Sequence, residues 1–262
     1  MGAVTHPYLS RTSTPRVFAH RGLVPGDSDD VAENSFAAIA AAHAAGAVYV
    51  ESDCHVTRDG EVVLFHDEDL SRVVGDPRLV RDVTLRELAD LMADRGGLAS
   101  FEQALESFPD VRFNIDVKAD AAAEPAGRLA SSAAERVLLT SFSERRRRAA
   151  LAAAARARSS LLPATSAGAT LVARAAAAAL TGSRGLMRRT LDGIDALQVP
   201  EYQNRIHLVT PRFLHAVHEA GVEVHVWTVN DAADMRRLID MGVDGIVTDR
   251  ADLALRILGP DR

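Results

Sequence analysis

Cysteine is almost absent from these 262 residues. Cys54 stands alone, so no intrachain disulfide can form and a reducing compartment suits the chain. Basic charge in excess is missing too: 36 Asp and Glu outweigh 30 Lys and Arg, for a net charge of −6. That balance excludes a general nucleic-acid binder, which needs surplus cations to neutralise phosphates, but it leaves room for a local basic pocket. Long apolar runs are lacking as well. The best candidate, Ala167 to Leu180, is too short for a bilayer and is broken by Arg174, so no stable membrane insertion is expected. The segment Met1 to Tyr8 has neither the basic start nor the apolar stretch of a secretory signal, and His6 stands where a myristoylation pattern wants Ser or Thr. A cytoplasmic location is the expectation. No Pro-, Gly- or Ser-rich linker divides the chain and no internal repeat is evident, which favours one domain over residues 1–262.

Lysine is the rarest basic residue. Every other basic position is Arg and only Lys118 remains. A compact ammonium on a flexible stem is not interchangeable with a planar guanidinium, so a site that requires the former resists replacement. Lys118 is therefore a candidate functional residue.

What is present is a globular balance, 47% hydrophobic and 25% charged, ample for a core. Runs of β-branched and apolar residues predict strands at Val17–His20, Val48–Asp53, Val62–His66, Val111–Val117, Val137–Ser141, Ser160–Leu162, Ala196–Val199, Glu223–Thr228 and Gly245–Thr248. Helical patterns lie between most of them. Thr84-Leu85-Arg86-Glu87 has capping-box spacing, and Pro211 after Thr210 suits a first helical turn. Strand–helix alternation over the whole length predicts a parallel sheet. Nine strands is one more than an eight-stranded barrel holds, and the Asp59-Gly60 turn marks the surplus as a hairpin arm. The fold class expected is α/β, a (β/α)8 TIM-type barrel with a β-hairpin and a small helical insertion at 56–97, after strand 2.

Candidate chemistry gathers at strand ends, where side chains from distant parts of a barrel converge. Glu51 and Asp53 are two apart, so strand periodicity sets both carboxylates on one face. Two like charges inside a barrel call for a cation between them, and a hard divalent ion, Mg²⁺ or Ca²⁺ with Mn²⁺ as a third option, suits oxygen ligands. Asp116 on the neighbouring strand is the third candidate metal ligand. His20 and His66 suit general acid–base work, because imidazole titrates near neutrality. Arg21 and Lys118 supply positive charge for an anionic substrate, the guanidinium in a bidentate way. Two cations, a metal and two histidines around one cavity describe phosphoryl chemistry. Glu33 could support the metal or a substrate hydroxyl, although helix N-termini attract acidic side chains on dipole grounds alone. Arg145-Arg146-Arg147-Arg148 reads as a solvated helix face, or alternatively as a contact with anionic lipid headgroups.

Phe18-Ala19-His20-Arg21-Gly22, Glu33-Asn34-Ser35, Glu51-Ser52-Asp53, Thr57-Arg58-Asp59-Gly60, His66-Asp67 and Val226-Trp227-Thr228-Val229-Asn230, in that order, resemble the glycerophosphodiester phosphodiesterase family from about Pro15 to Leu258. The resemblance implies a TIM-type barrel that hydrolyses glycerophosphodiesters to glycerol 3-phosphate and an alcohol with a divalent metal. By motif position it implies His20 and His66 as the acid–base pair, Glu51 and Asp53 as metal ligands, Arg21 and Lys118 as phosphate contacts, and Trp227 as a pocket wall. Asp116 departs from the family's usual glutamate, the loop from Leu23 to Ala32 is longer and more acidic, and Val73-Val74 replaces threonines. The alternatives are a lysophospholipase D or phospholipase-type phosphodiesterase on the same barrel, and a non-catalytic glycerophosphodiester-binding protein. The expected partner is a small glycerophosphodiester or lysolipid, with no nucleic acid; these residues do not specify an oligomeric state.

Overall fold

In the computed structural model the alternating pattern closes into a ring of parallel strands wrapped by helices. The structure describes residues 6–258 apart from 27, 158–159 and 204. In chain order the strands are β1 (Arg16–His20), β2 (Tyr49–Val56), β3 (Val62–Leu64), β4 (Arg112–Val117), β5 (Val137–Thr140) and β6 (Ala164–Thr165). The second half supplies β7 (Ala196–Pro200), β8 (Tyr202–Gln203), β9 (Ile206–His207), β10 (Glu223–Trp227) and β11 (Gly245–Thr248). The staves run β6-β5-β4-β2-β1-β11-β10-β7. A parallel bridge from Ser166 to Ala196, with the Asp195 N–H donating to the Thr165 carbonyl at 2.9 Å, joins the two ends. Eight staves therefore make a nearly closed TIM-type barrel. β3 folds back antiparallel on the end of β2, Cys54 facing Leu64, and β8 and β9 form a separate hairpin at the barrel rim.

One stave lies elsewhere than its sequence pattern predicts. The strand expected at Ser160–Leu162 forms instead at Ala164–Thr165, beyond Pro163, which has no N–H to give to a central ladder. The run Arg145–Arg148 is also not uniformly solvated. Arg147 is buried and donates to Glu144 and to the Thr165 hydroxyl, while Arg145 and Arg146 pair with Asp120 and Arg148 lies near Glu144.

Local signals start the outer helices as written. The Thr84–Glu87 capping box is formed in full, and Thr210 accepts from the Phe213 N–H with Pro211 in the first turn. Helices Asp120–Ser131 and Glu144–Arg156 pack so closely that a Cβ on Gly127 would lie 2.1 Å from the Ala150 carbonyl oxygen. Gly127→Ala is expected to cost about 1–3 kcal/mol through overpacking, read as a lowered Tm; an unchanged Tm would show that the helices part without penalty.

The end of the barrel where the strands begin is plugged by a polar network. Arg16, which opens β1, donates two hydrogen bonds to Glu223 at 2.7 and 2.8 Å, one to the Tyr49 hydroxyl at 3.1 Å, and another to Thr12. Around it pack Tyr8, Leu9, Phe18 and Tyr49, the first two from the short helix Pro7–Ser10. With that end filled, the open end lies where the strands finish, which is where barrels of this type carry their sites.

Candidate active site

Strand register brings the acidic residues together. In the parallel ladders Glu51 stands beside both His20 and Asn114, and Asp53 beside Asp116. Their side chains enter one cavity of about 600 Å³, which also receives Arg21, His66 and Lys118. Of the sequence candidates, His20, Arg21, Glu51, Asp53, His66, Asp116, Lys118 and Trp227 all line it. Glu33 does not line it; it sits one shell out and accepts from Arg21 at 2.8 Å and Arg72 at 2.6 Å.

Each imidazole is oriented by a carboxylate. His20 Nδ1 lies 2.6 Å from Asp249 Oδ1, and its Nε2 is 3.8 Å from Glu51 Oε2. Burial works against a charged His20 ring, but the Asp249 hydrogen bond and the Glu51 carboxylate outweigh it and raise the pKa. Asp249 is itself fixed by Asn230, whose amide donates to Oδ2 at 2.7 Å. His66, just beyond β3, has Nδ1 2.6 Å from Asp67 Oδ1. Hydrogen bonding from Arg72, opposed by burial and aided by His66, holds the Asp67 pKa at about 2.

The cations are already engaged. Lys118 Nζ bridges Asp53 at 2.9 Å and Asp116 at 2.7 Å, and Arg21 Nε lies 3.2 Å from Asp53 Oδ2. Burial would lower the Lys118 pKa, yet the Asp53 and Asp116 carboxylates drive it up. Burial would raise Asp53, and Lys118 and Arg21 bring it below the usual carboxylate range. For Asp116 burial wins over Lys118 and the pKa rises. Glu51 is pushed up to about 8 by burial and then by the neighbouring Asp53 charge. Arg21 and Asn34 both hold positive φ, 57° and 59°, a conformation uncommon outside glycine that a site retains when it aims a side chain. The Asn34 N–H donates to the Arg21 carbonyl at 2.8 Å, and its side chain donates to Asp53 at 3.1 Å.

A divalent ion suits this donor set in type. Glu51 Oε2, Asp116 Oδ1 and Asn114 Oδ1 are buried hard oxygens without a hydrogen-bond partner, the ligand chemistry that Mg²⁺ and Ca²⁺ take. As the side chains stand, Lys118 lies between Asp53 and Asp116, and among the described residues no three His, Cys, Asp or Glu are drawn into ion-holding geometry. An ion joining Asp53 and Asp116 would have to share them with that ammonium.

Asn114 and Asp249 carry no role in the sequence reading, Asn34 figures there as a helix cap, and Asn34 and Asn230 otherwise stand only inside family motifs. Asp249 was findable by the same rule that found the others, because it directly follows β11. Asn114 was not: amides inside a strand read as filler.

Fold and cavity together place the chain among TIM-type barrels with a charged site at the open end. Residues 20–253 match the glycerophosphoryl diester phosphodiesterase family. A probable glycerophosphodiester phosphodiesterase 2 of Mycobacterium tuberculosis is 37% identical over 98% of this chain and 95% of its own length. The crystal structure of a glycerophosphodiester phosphodiesterase from Thermotoga maritima superposes with a TM-score of 0.67 at 25% identity, covering 92% of this chain and 96% of that one. An Oleispira antarctica phosphodiesterase, solved with the product sn-glycerol-3-phosphate, shares the fold with a TM-score of 0.68 at 20% identity, covering 91% of this chain and 94% of that one. The chain belongs to the glycerophosphoryl diester phosphodiesterase family. It is a phosphoric diester hydrolase, and that family generally uses a divalent metal.

Proposed function

We propose that the protein hydrolyses glycerophosphodiesters to glycerol 3-phosphate and an alcohol, with His20 and His66 as general acid and base. The observation that supports this best is that two imidazoles, each tied at Nδ1 to a carboxylate 2.6 Å away, line the same cavity as the acidic cluster. Fixing Nδ1 leaves each Nε2 to give or take the proton. Glu51, Asp53 and Asp116 would hold the divalent ion, Mg²⁺ or Ca²⁺, which when bound supplies Lewis-acid charge to a phosphate oxygen. Arg21 and Lys118, poised among carboxylates, turn their remaining N–H donors to the oxygens of the phosphate as charge develops. Asp249 positions His20.

Release of glycerol 3-phosphate from glycerophosphocholine tests the reading, measured with chelator and after adding back Mg²⁺, Ca²⁺ or Mn²⁺. Loss with chelator and recovery with one of the ions is the expected result. No product under any of the three would overturn it, and tight binding without product would identify a binding protein instead.

The positioning role has its own check. In Asp249→Asn the His20 titration midpoint, followed by NMR of the ring, is expected to fall because the charge that raised it is gone. Activity is expected to drop by roughly 10-fold or more, as when an orienting carboxylate behind a catalytic histidine is neutralised. An unmoved midpoint would show that Asp249 does not act through His20.

A further inference from the structure

The polar plug at the closed end of the barrel does not stop at Glu223. That carboxylate takes two hydrogen bonds from Arg16, and His225 Nε2 lies 3.1 Å from it. His225 is fully buried and packs on Phe18 with ring centroids 4.6 Å apart. Its register partner on β7 is Gln198, whose Nε2 stands 3.5 Å from His225 Nδ1. Gln198 lines the catalytic cavity, and His225 does not. A line of side chains, Arg16–Glu223–His225–Gln198, therefore runs from the plug to the cavity wall, and the acid–base and metal chemistry above uses none of them.

That line sets the direction of an amide. Arg16 already neutralises Glu223, so a neutral His225 ring completes the carboxylate's hydrogen bonds by donating its Nε2–H. The neutral ring then offers an acceptor at Nδ1. Only the NH2 half of Gln198 can satisfy that acceptor, which leaves the carbonyl oxygen to the cavity. β7 stands four staves from β2 whichever way the ring is followed, so this oxygen enters from the wall opposite Glu51 and Asp53. Among the described residues of β7 and β10, those lining the cavity are Gln198, Pro200 and Trp227, and Gln198 alone carries a side-chain oxygen.

An ionised phosphodiester group offers acceptors only, and its charge draws it to Arg21 and Lys118. What a carbonyl oxygen binds is a hydroxyl. Resting on the hydrolytic reading above, we propose that Gln198 is a specificity-determining residue that accepts a hydrogen bond from a glycerol hydroxyl, and that His225 is the positioning residue that keeps its amide turned to accept. Phosphate at one wall and hydroxyl at the other fix which way round the glycerol lies. A ligand without that hydroxyl leaves the oxygen desolvated and unpaired, the mismatch by which a polar site rejects an analogue.

The test measures the Kd of glycerol 3-phosphate and of two deoxy analogues, 3-hydroxypropyl phosphate and 2-hydroxypropyl phosphate, by titration calorimetry with Mg²⁺, Ca²⁺ or Mn²⁺ present. Each analogue lacks one hydroxyl. The wild type is expected to bind glycerol 3-phosphate about tenfold or more tighter than one of them, and Gln198→Leu to lose most of that preference; the analogue concerned names the hydroxyl. A Kd does not depend on how much of a variant folds. His225→Phe, which keeps a ring on Phe18 but has no Nδ1, is expected to weaken the same preference with Gln198 in place, and nitrogen NMR of the wild-type ring to show the Nε2–H tautomer. Preferences equal in the wild type and Gln198→Leu would overturn the contact. A full preference in His225→Phe, or an Nδ1–H on the wild-type ring, would overturn the positioning role. Absence of product from glycerophosphocholine beside a retained preference would overturn the hydrolytic reading and leave the hydroxyl contact standing.

Discussion

Alanine in place of His66, or of His20, is expected to lower kcat by about 10²–10⁴-fold, the range a positioned acid or base contributes, with thermal stability nearly unchanged. Neither ring is a core residue: their side chains are 32% and 18% exposed. What each ring does have is a carboxylate on Nδ1, and the His20 Nε2 faces the Glu51 carboxylate at 3.8 Å. Loss of one ring removes either the group that takes the nucleophile's proton or the group that protonates the departing alkoxide. Each alone therefore stalls the displacement, and the double variant is expected to lose far less than the product of the two single losses. Glycerol 3-phosphate release gives the rate and circular dichroism the fold. A near-wild-type rate in either variant would remove that ring from the acid–base assignment.

Removing the plug at the opposite end is expected to act on stability. Arg16 is buried, and it holds Glu223 through two hydrogen bonds while His225 Nε2 lies 3.1 Å from the same carboxylate. Arg16→Met strands that carboxylate, at an expected cost of about 3–5 kcal/mol. Burial alone would raise the Glu223 pKa, but Arg16 and His225 hold it at about 2. A depressed folded-state pKa stabilises the native state above the unfolded value of 4.5, and that contribution, of order 3 kcal/mol, is lost as pH falls from there toward 2. Urea unfolding at neutral pH and in acid reads both effects: the variant loses most at neutral pH, and its penalty shrinks in acid as Glu223 protonates. Arg16→Met combined with Glu223→Leu is expected to recover much of the loss, since no lone charge is left behind. A single-variant cost below about 1 kcal/mol would show that water reaches the plug.

The barrel was legible because its signals are local and repeated. Val17, Phe18 and Ala19 before His20, or Phe113, Ile115 and Val117 around Asp116, are buried stave residues that read as strands at once. β6 was displaced because two residues, Ala164 and Thr165, carry almost no periodic signal. The β8–β9 hairpin was missed for a similar reason: in the sequence Asn204 is followed by Arg205, which holds φ 68°, and not by glycine, so the Asn-Gly signal is absent. The charged cluster was read from spacing, since Glu51 and Asp53 must share a face. Its internal wiring was not, because the links from Asn34 to Asp53 and from Asp249 to His20 span 19 and 229 positions. Arg147 misled for the opposite reason. Its neighbours in a run of four arginines conceal that helical rotation turns this one inward, onto Thr165.

Pairing is unevenly distributed around the ring. β2 and β4 share a ladder from Tyr49–Arg112 to Cys54–Val117, while β6 meets β7 through a short seam, the Ser166–Ala196 bridge with backbone bonds from Asp195 to Thr165 and from Ala167 to Ala196. The long ladder carries Glu51, Asp53 and Asp116, and helix Ala169–Thr181 follows the short seam. Backbone hydrogen bonds therefore hold the carboxylate-bearing staves along six paired positions, while the ring is closed by far fewer, and local opening of the barrel is expected to begin at the β6–β7 seam.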